Sequence, residues 1–315
     1  MKVLDLDRQE NFQESVILAL GNFDGLHLGH QALIHHAIAM SECHHCLSGV
    51  LLFKQHTRST LEHHGFEALM SRNQKLRILE ELGIDVVLEI SFDEALREMS
   101  PQAFIENLLI ERLHCLGTVT GEDYRFGYRA QGDVSWLQRA QEEGKLLCWT
   151  VPAVLWEGKK VSSTWIRDAI REGDLATANA LLGRPYAIEG TVIHGKKLGR
   201  TIGFPTANIG RNCSYVMPRY GVYDTDVVYG ERLYPAATSV GINPTVRDEG
   251  VHVEAHFLNF SKEIYGEHVE VKFLEFLRPE IAFDSLEPLA EQIKKDCTQV
   301  KNRLTRCADD GDMLG

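Results

Sequence analysis

Two histidines three residues apart, His27 and His30, fall in the run 15–39, SVILALGNFDGLHLGHQALIHHAIA, between a glycine-rich turn and an apolar pattern of helical period. On a helix that spacing puts both imidazoles on one face, where they can donate hydrogen bonds to one phosphate. The turn before them adds Gly21, Asn22, Asp24 and Gly29: permissive backbone, and side chains that bond nearby amides. Free amides and the dipole of the following helix then point at an anion, so these four are candidate nucleotide- and phosphate-binding residues. An isolated pair of histidines at this spacing is more often a solvated surface feature. The strand before, the glycines within and the helix after favour a site.

Four further groups could carry chemistry. In residues 161–167, VSSTWIR, the hydroxyls of Ser162, Ser163 and Thr164 cap a helix from whose first turn Arg167 projects, making a second phosphate cradle. Residues 121–127, GEDYRFG, offer Asp123 to a ribose or ring nitrogen, Arg125 to phosphate and Phe126 to a planar ring. Residues 194–208, HGKKLGRTIGFPTAN, combine Gly195 and Gly199 with Lys196, Lys197 and Arg200, but lack the GK[ST] ending of a Walker loop. There Thr206 and Asn208 can place two oxygens on one Mg²⁺. Glu254, in VHVEAHF, can accept a proton from a hydroxyl nucleophile, or can belong to the wet face of a strand.

The elements that position these residues change style along the chain. Residues 16–20, VILAL, read as a strand buried on both faces, and 30–38 as an amphipathic helix. Strands are expected at 49–53, 84–90 and 117–121, with helices over 71–82 and from Ser100-Pro101 onward, so the first part is a doubly wound, Rossmann-like parallel sheet. Ligands bind such sheets at the carboxyl ends of the strands, which brings 121–127 to the site opened by His27 and His30. After a short capped helix over 174–183 the helical periods vanish. Runs of strands with glycine turns suggest a small antiparallel barrel, closed by a helix whose apolar residues run from Leu286 to Leu304. The expected domains are therefore 1–183 and 184–305, with 306–315 a disordered tail.

At 315 residues the chain can hold two cores, and a net charge of −12 argues against a nucleic-acid surface. No apolar run is long enough to span a membrane and no signal-peptide core opens the chain, so a cytoplasmic protein is expected. Seven scattered cysteines fit reduced thiols, Cys43 and Cys46 without a second ligand pair at zinc spacing. Oligomeric state is left open.

GNFDGLHLGH resembles the HxGH signature of nucleotidylyltransferases, in the longer form of bacterial FAD synthetases. GEDYRFG is similar to that family's G-x-D/N-F-x-F-G element, with Tyr124 for the usual Phe, and SSTWIR to its SSTxIR motif. In the second half GRTIGFPTAN, GVY at 221–223, GINPT at 241–245, the Glu254 strand and Tyr265-Gly266 look like riboflavin kinase, in family order. The resemblance covers nearly the whole chain. It implies a bifunctional riboflavin kinase/FMN adenylyltransferase using Mg²⁺ and ATP on small-molecule substrates: riboflavin to FMN in the second domain, FMN to FAD with release of pyrophosphate in the first. On that reading Glu254 is the kinase base, Thr206 and Asn208 hold Mg²⁺, and His27, His30, Ser163 and Arg167 serve adenylyl transfer. The family's Phe-x-Pro-His-Pro is here Phe53-Lys-Gln-His-Thr57, which keeps His56 as a candidate flavin contact and loses both prolines. Lys54 beside it is left between a phosphate contact and a solvated side chain. Two alternatives stand beside this reading: an HxGH adenylyltransferase for another phosphorylated substrate, and a flavin-binding regulator that keeps the fold without turnover.

Overall fold

The computed structural model describes residues 1–8, 12–54, 66–195, 203–242, 251–283 and 285–311. It packs as two compact units, Met1–Phe66 with Arg72–Ser163, and Glu67–Ser71 with Thr164–Gly315.

The first unit is built on six parallel strands, β1 (Lys2–Asp5), β2 (Val16–Ala19), β3 (Leu47–Phe53), β4 (Val86–Ile90), β5 (Cys115–Gly121) and β6 (Leu147–Val151), ordered β1-β4-β3-β2-β5-β6. All four residues of β2 are 0% exposed, as a continuous apolar run in a sheet covered on both faces requires. From β2 the chain winds to β3 and β4 on one side and then to β5 on the other, so the order reverses between β2 and β5 and a crevice opens at their carboxyl ends. Helix α1 (Leu28–His44) follows β2 directly, with Leu33, Ile34 and Ala37 buried as its period demands, and α2 (Arg72–Glu81) precedes β4. After the short α3 (Glu94–Arg97), Ser100 caps α4 (Pro101–Ala103), accepting from the Ala103 amide at 3.1 Å with proline at the first position. From Phe104 to Arg112 the same helix widens into π-helical turns, which the sequence pattern does not signal. Two more helices, α5 (Val134–Glu142) and α6 (Ser163–Glu172), complete this part of the chain, α6 running across the division between the units.

In the second unit six strands close into an antiparallel barrel. With a two-stranded ribbon of β7 (Leu155–Trp156) and β8 (Lys159–Lys160) preceding them, they are β9 (Tyr186–Ile193), β10 (Ala207–Arg211), β11 (Gly221–Tyr229), β12 (Arg232–Ile242), β13 (Val251–Phe257) and β14 (His268–Arg278), ordered β10-β13-β12-β11-β14-β9. Closure leaves no unpaired edge, and the inward residues of β14, Val269, Val271 and Phe273, are 0% exposed. Glu270, which alternation places on the outer face, is nonetheless buried, because helices cover that face. One is α7 (Leu175–Leu182), capped by Asp174 and ended by Gly183 in the left-handed region, as the sequence predicts. Asn179 fastens it, donating to the Phe273 carbonyl at 3.0 Å and accepting from the Tyr186 amide at 2.7 Å.

Packing therefore divides the chain at Ser163/Thr164, earlier than the change of sequence style at 184: α7 is helical in sequence but lies on the barrel. The final helix, α8 (Leu286–Gly311), continues in its backbone past Arg306, where a disordered tail is expected, since neither glycine nor proline interrupts it before Gly311. Three largely buried ion pairs hold α8: Arg278 with Asp296 at 2.8 Å, and Arg303 with Asp224 at 2.8 Å and with Asp226 at 2.6 Å. Burial pushes the Asp224 carboxyl up against the pull of Arg303, and its Oδ1 has no partner. Replacing Arg303 by Met removes the compensating charge from a fully buried carboxylate, so urea unfolding should show a loss of about 3–5 kcal/mol. Adding Asp224→Asn should recover part of it.

Candidate active sites

The histidine turn lies at the carboxyl end of β2. Its tightness is carried by Gly25 (φ 85°) together with Phe23 (φ 46°) and Leu26 (φ 41°), two buried non-glycine residues in the left-handed region. Gly21 and Gly29 do not have positive φ; a Cβ on Gly29 would lie 3.1 Å from the His27 ring, so that glycine makes room for the imidazole. His27 is the N-cap of α1: its Nδ1 accepts from the His30 amide at 3.3 Å. That bond fixes Nδ1 as an acceptor and leaves the proton on Nε2, which makes Nε2 a donor. The rings of His27 and His30 stack 3.7 Å apart at 15°. Spacing alone anticipated a shared face, not a histidine that also caps its own helix.

Ser163 reaches this turn, its hydroxyl donating to the Asp24 carbonyl at 2.9 Å. It thereby ties the start of α6 to the histidine loop, where the sequence suggests a helix cap. Ser162 is half-buried just before the helix, and Thr164 is exposed at the start of the second unit's share of it. Arg167, also in the second unit, is 9% exposed and donates from Nε to the Glu67 carbonyl at 3.2 Å. Beneath the turn lies a group the sequence reading missed: burial pushes the Lys75 ammonium's pKa down, while Asp24 and Glu89 pull it up. Nothing in the polar helix segment RNQKLRILEE singles that lysine out.

A cavity of about 610 Å³ opens beside Gly21 and Asn22, a size suited to a drug-sized or cofactor-sized ligand. Phe53, Phe92, Tyr124, Arg125 and Tyr128 line it. Arg125 also pairs with Asp133 at 3.2 Å. Phe126 borders the cavity, but its ring packs on Phe104 at 5.0 Å and on Tyr124 at 5.7 Å, so it supports the wall and lacks the open face expected of a stacking platform. Asp123 is outside the lining and pairs with Lys160 at 2.5 Å. Phe53 and Phe92, edge to face at 5.3 Å, line the cavity without having been singled out in the sequence; their signal is their place at or just past the carboxyl ends of β3 and β4. Lys54 pairs with Asp5 at 2.5 Å and with Asp7 at 2.8 Å, which holds the pKa of the Asp7 carboxyl down to about 2. His56 lies outside the described residues.

On the barrel, Asn208 of β10 stands directly opposite Glu254 of β13. Val253 and Ala255 are buried in the barrel, so Glu254, between them, faces outward with Asn208 and, by alternation, Thr206. His256 on the same face donates from Nδ1 to the Pro205 carbonyl at 2.8 Å and so fixes the chain leading to Thr206. Gly195 serves close approach: a Cβ there would meet Asn208 Nδ2 at 2.2 Å. A second cavity, of about 260 Å³, is lined by Gly195, Thr206, Asn208, Phe257, Phe260 and Tyr265 among others. Among the described residues no three His, Cys, Asp or Glu side chains gather as a metal cage. The neutral oxygens of Thr206 and Asn208, which line this cavity, with Glu254 opposite Asn208, instead suit a hard cation that keeps waters and phosphate oxygens in its shell. Lys196, Gly199 and Arg200 lie outside the described residues, as does most of GINPT.

Comparison with known proteins bears on both sites. A family model described as FAD synthetase matches residues 9–165 and one described as riboflavin kinase matches 182–304. The chain is 39% identical over 283 residues to a Listeria monocytogenes protein named bifunctional riboflavin kinase/FMN adenylyltransferase, covering 89% of this chain and 90% of that one. It is 37% identical to the protein of that name from Escherichia coli strain K12, over 90% of this chain and 91% of that one. A Streptococcus pneumoniae crystal structure described as a macrolide-efflux protein superposes with a TM-score of 0.87 at 30% identity, over 96% of this chain and 99% of that one. No helix of the described residues is long and apolar enough to cross a membrane.

Proposed function

The chain belongs to the bifunctional riboflavin kinase/FMN adenylyltransferase family, and we propose that its two activities divide between the two sites, with the kinase on the barrel (184–305) and the adenylyltransferase in residues 1–183. It phosphorylates riboflavin to FMN and adenylylates FMN to FAD. The observation that carries the division is the pairing of two different chemistries with two different folds: stacked histidines at the mouth of a parallel sheet, and a carboxylate opposite Asn208 on a barrel.

The two reactions ask for different help. The 5′-hydroxyl of riboflavin is a poor nucleophile, so Glu254 accepts its proton as the oxygen attacks the γ-phosphorus of ATP. Thr206 and Asn208 would hold Mg²⁺, which would neutralise charge on the phosphates. The phosphate of FMN is already anionic, so adenylyl transfer needs positioning and charge stabilisation. Nε2 of His27, the His30 ring, Ser163 and Arg167 supply these, with Gly21, Asn22, Asp24 and Gly29 shaping the phosphate turn. The aromatic cavity of Phe53, Phe92 and Tyr124 takes the flavin ring, and Arg125 meets its ribityl phosphate. The substrates are small molecules in the cytoplasm.

A time course of riboflavin, FMN and FAD with Mg-ATP tests this. Riboflavin should fall while FMN rises and then gives way to FAD, one ATP being consumed at each step. Tight flavin binding without ATP consumption would point to a regulator; adenylylation of another phosphorylated substrate in preference to FMN would reassign the first site.

A further inference from the structure

Strand β10 begins at Ala207, and its register with β13 sets Ala207 opposite Ala255 and Asn208 opposite Glu254. Thr206, assigned with Asn208 to Mg²⁺, therefore stands one residue short of the ladder, so strand pairing aims Asn208 but not Thr206. Carried one step further, the same register sets Thr206 opposite His256. The ladder stops before that step. The His256 side chain takes over, its Nδ1 donating to the Pro205 carbonyl at 2.8 Å. A carbonyl only accepts, so the bond requires the ring proton on Nδ1.

What that bond controls follows from proline. The pyrrolidine ring fixes φ of Pro205 and confines Phe204 before it to extended backbone. Phe204 is anchored in turn: its ring packs on a small buried cluster of Ala237, Leu258, Cys297 and Val300, where β12 meets α8, and lies edge-on to the His256 ring at 5.4 Å and 74°. With both settled, ψ of Pro205 is the soft torsion left before Thr206, and it turns the plane of the Pro205–Thr206 peptide. A donor on the Pro205 carbonyl holds that plane, and with it the direction in which Thr206 leaves the chain. Pro205, Thr206 and Asn208 line the cavity of about 260 Å³; Phe204 and His256 are not part of its lining.

We propose that His256 is a positioning residue of the kinase: through the Pro205 carbonyl it sets the aim of the Thr206 hydroxyl, with Phe204 anchored against α8 as its backing, so that riboflavin phosphorylation depends on a side chain that does not touch substrate. This rests on the assignment of Thr206 to the phosphate-bound cation. Every residue of the clamp belongs to the second unit, so FAD formation from FMN at the histidine turn of the first unit reports separately on the rest of the chain.

The test uses the full chain. His256→Leu removes the donor and keeps an apolar side chain against Phe204, whereas His256→Asn puts an amide nitrogen near the place of Nδ1 and restores the donor. Thr206→Ala is the control on the assignment. For each, kcat and KM for riboflavin phosphorylation, kcat for FAD formation from FMN, Tm, and hydrogen–deuterium exchange of a peptide spanning 204–210 in the substrate-free chain are measured. His256→Leu should lower kcat for phosphorylation about three- to tenfold, the span of one hydrogen bond, and speed exchange in 204–210, with KM for riboflavin, FAD formation and Tm unchanged. His256→Asn should restore both the rate and the slow exchange. Equal impairment of His256→Leu and His256→Asn, or a lower rate with unchanged exchange, would overturn the clamp, because the donor would then not act by holding the chain. Loss of both activities together with Tm would make His256 merely structural and overturn it as well. His256→Leu as active as the parent, when Thr206→Ala is impaired, would overturn the clamp and leave the Thr206 assignment standing. An unimpaired Thr206→Ala would overturn the assignment and the clamp with it.

Discussion

Replacing Glu254 by Gln should lower kcat for riboflavin phosphorylation about 10²–10⁴-fold and leave adenylylation of FMN intact. Glutamine keeps the length and an acceptor oxygen of glutamate, so the register partner Asn208 retains a neighbour of the same shape, but an amide does not take the proton of a primary alcohol. The barrel should be undisturbed. Glu254 is on the outward face, half-buried, and packs none of the barrel core formed by its neighbours Val253 and Ala255. The check is direct: HPLC separation of riboflavin, FMN and FAD after incubation with Mg-ATP, starting once from riboflavin and once from FMN. An unimpaired kinase would mean that another group takes the proton, and the opposition of Glu254 and Asn208 would then be a feature of strand packing.

What the sequence discloses about these sites follows from what periodicity can encode. The β2 run and the α1 pattern around His27 were legible because a strand buried on both faces and an amphipathic helix each leave a repeating trace. The alternation in β14 showed the barrel wall in the same way. By contrast β12 carries Pro235, a residue that ordinarily argues against a strand, and small residues on both faces, so an eleven-residue strand left no trace. The Pro235 carbonyl is instead used outside the ladder, accepting from the Leu258 amide at 2.8 Å.

Site residues divide on similar lines. His27, His30, Glu254 and Asn208 stand out as candidates in the sequence because they lie in dense local motifs. Phe53 and Phe92 sit 39 positions apart in number and meet only because parallel strands end at one edge of the sheet. Lys75 was illegible for a different reason: it acts through tertiary contact, beneath Asp24, from a stretch whose composition is that of any polar helix. The role given to Phe126 changed because stacking needs an open face, and whether a ring has one depends on neighbours such as Phe104 that no local motif contains.

The double change His27→Ala with His30→Ala should stop the pathway at FMN, with FAD formation down at least about 10²–10³-fold and riboflavin phosphorylation unaffected. The magnitude is that of removing preorganised donors from a site of charge development; since the rings stack at 3.7 Å and share a backbone bond, the single changes should not add up to the double. His27 needs separate treatment because it has two jobs. As the N-cap of α1 it satisfies the His30 amide, and alanine there should also cost about 1 kcal/mol of stability. His27→Ser separates the two. A serine oxygen can accept from the amides of the first turn and restore the cap, but it cannot reach as far as Nε2 to donate to a phosphate. The expected result is a Tm close to that of the parent with FAD formation still low. If His27→Ser recovers both, the imidazole is needed only to start the helix, and the donor role passes to His30.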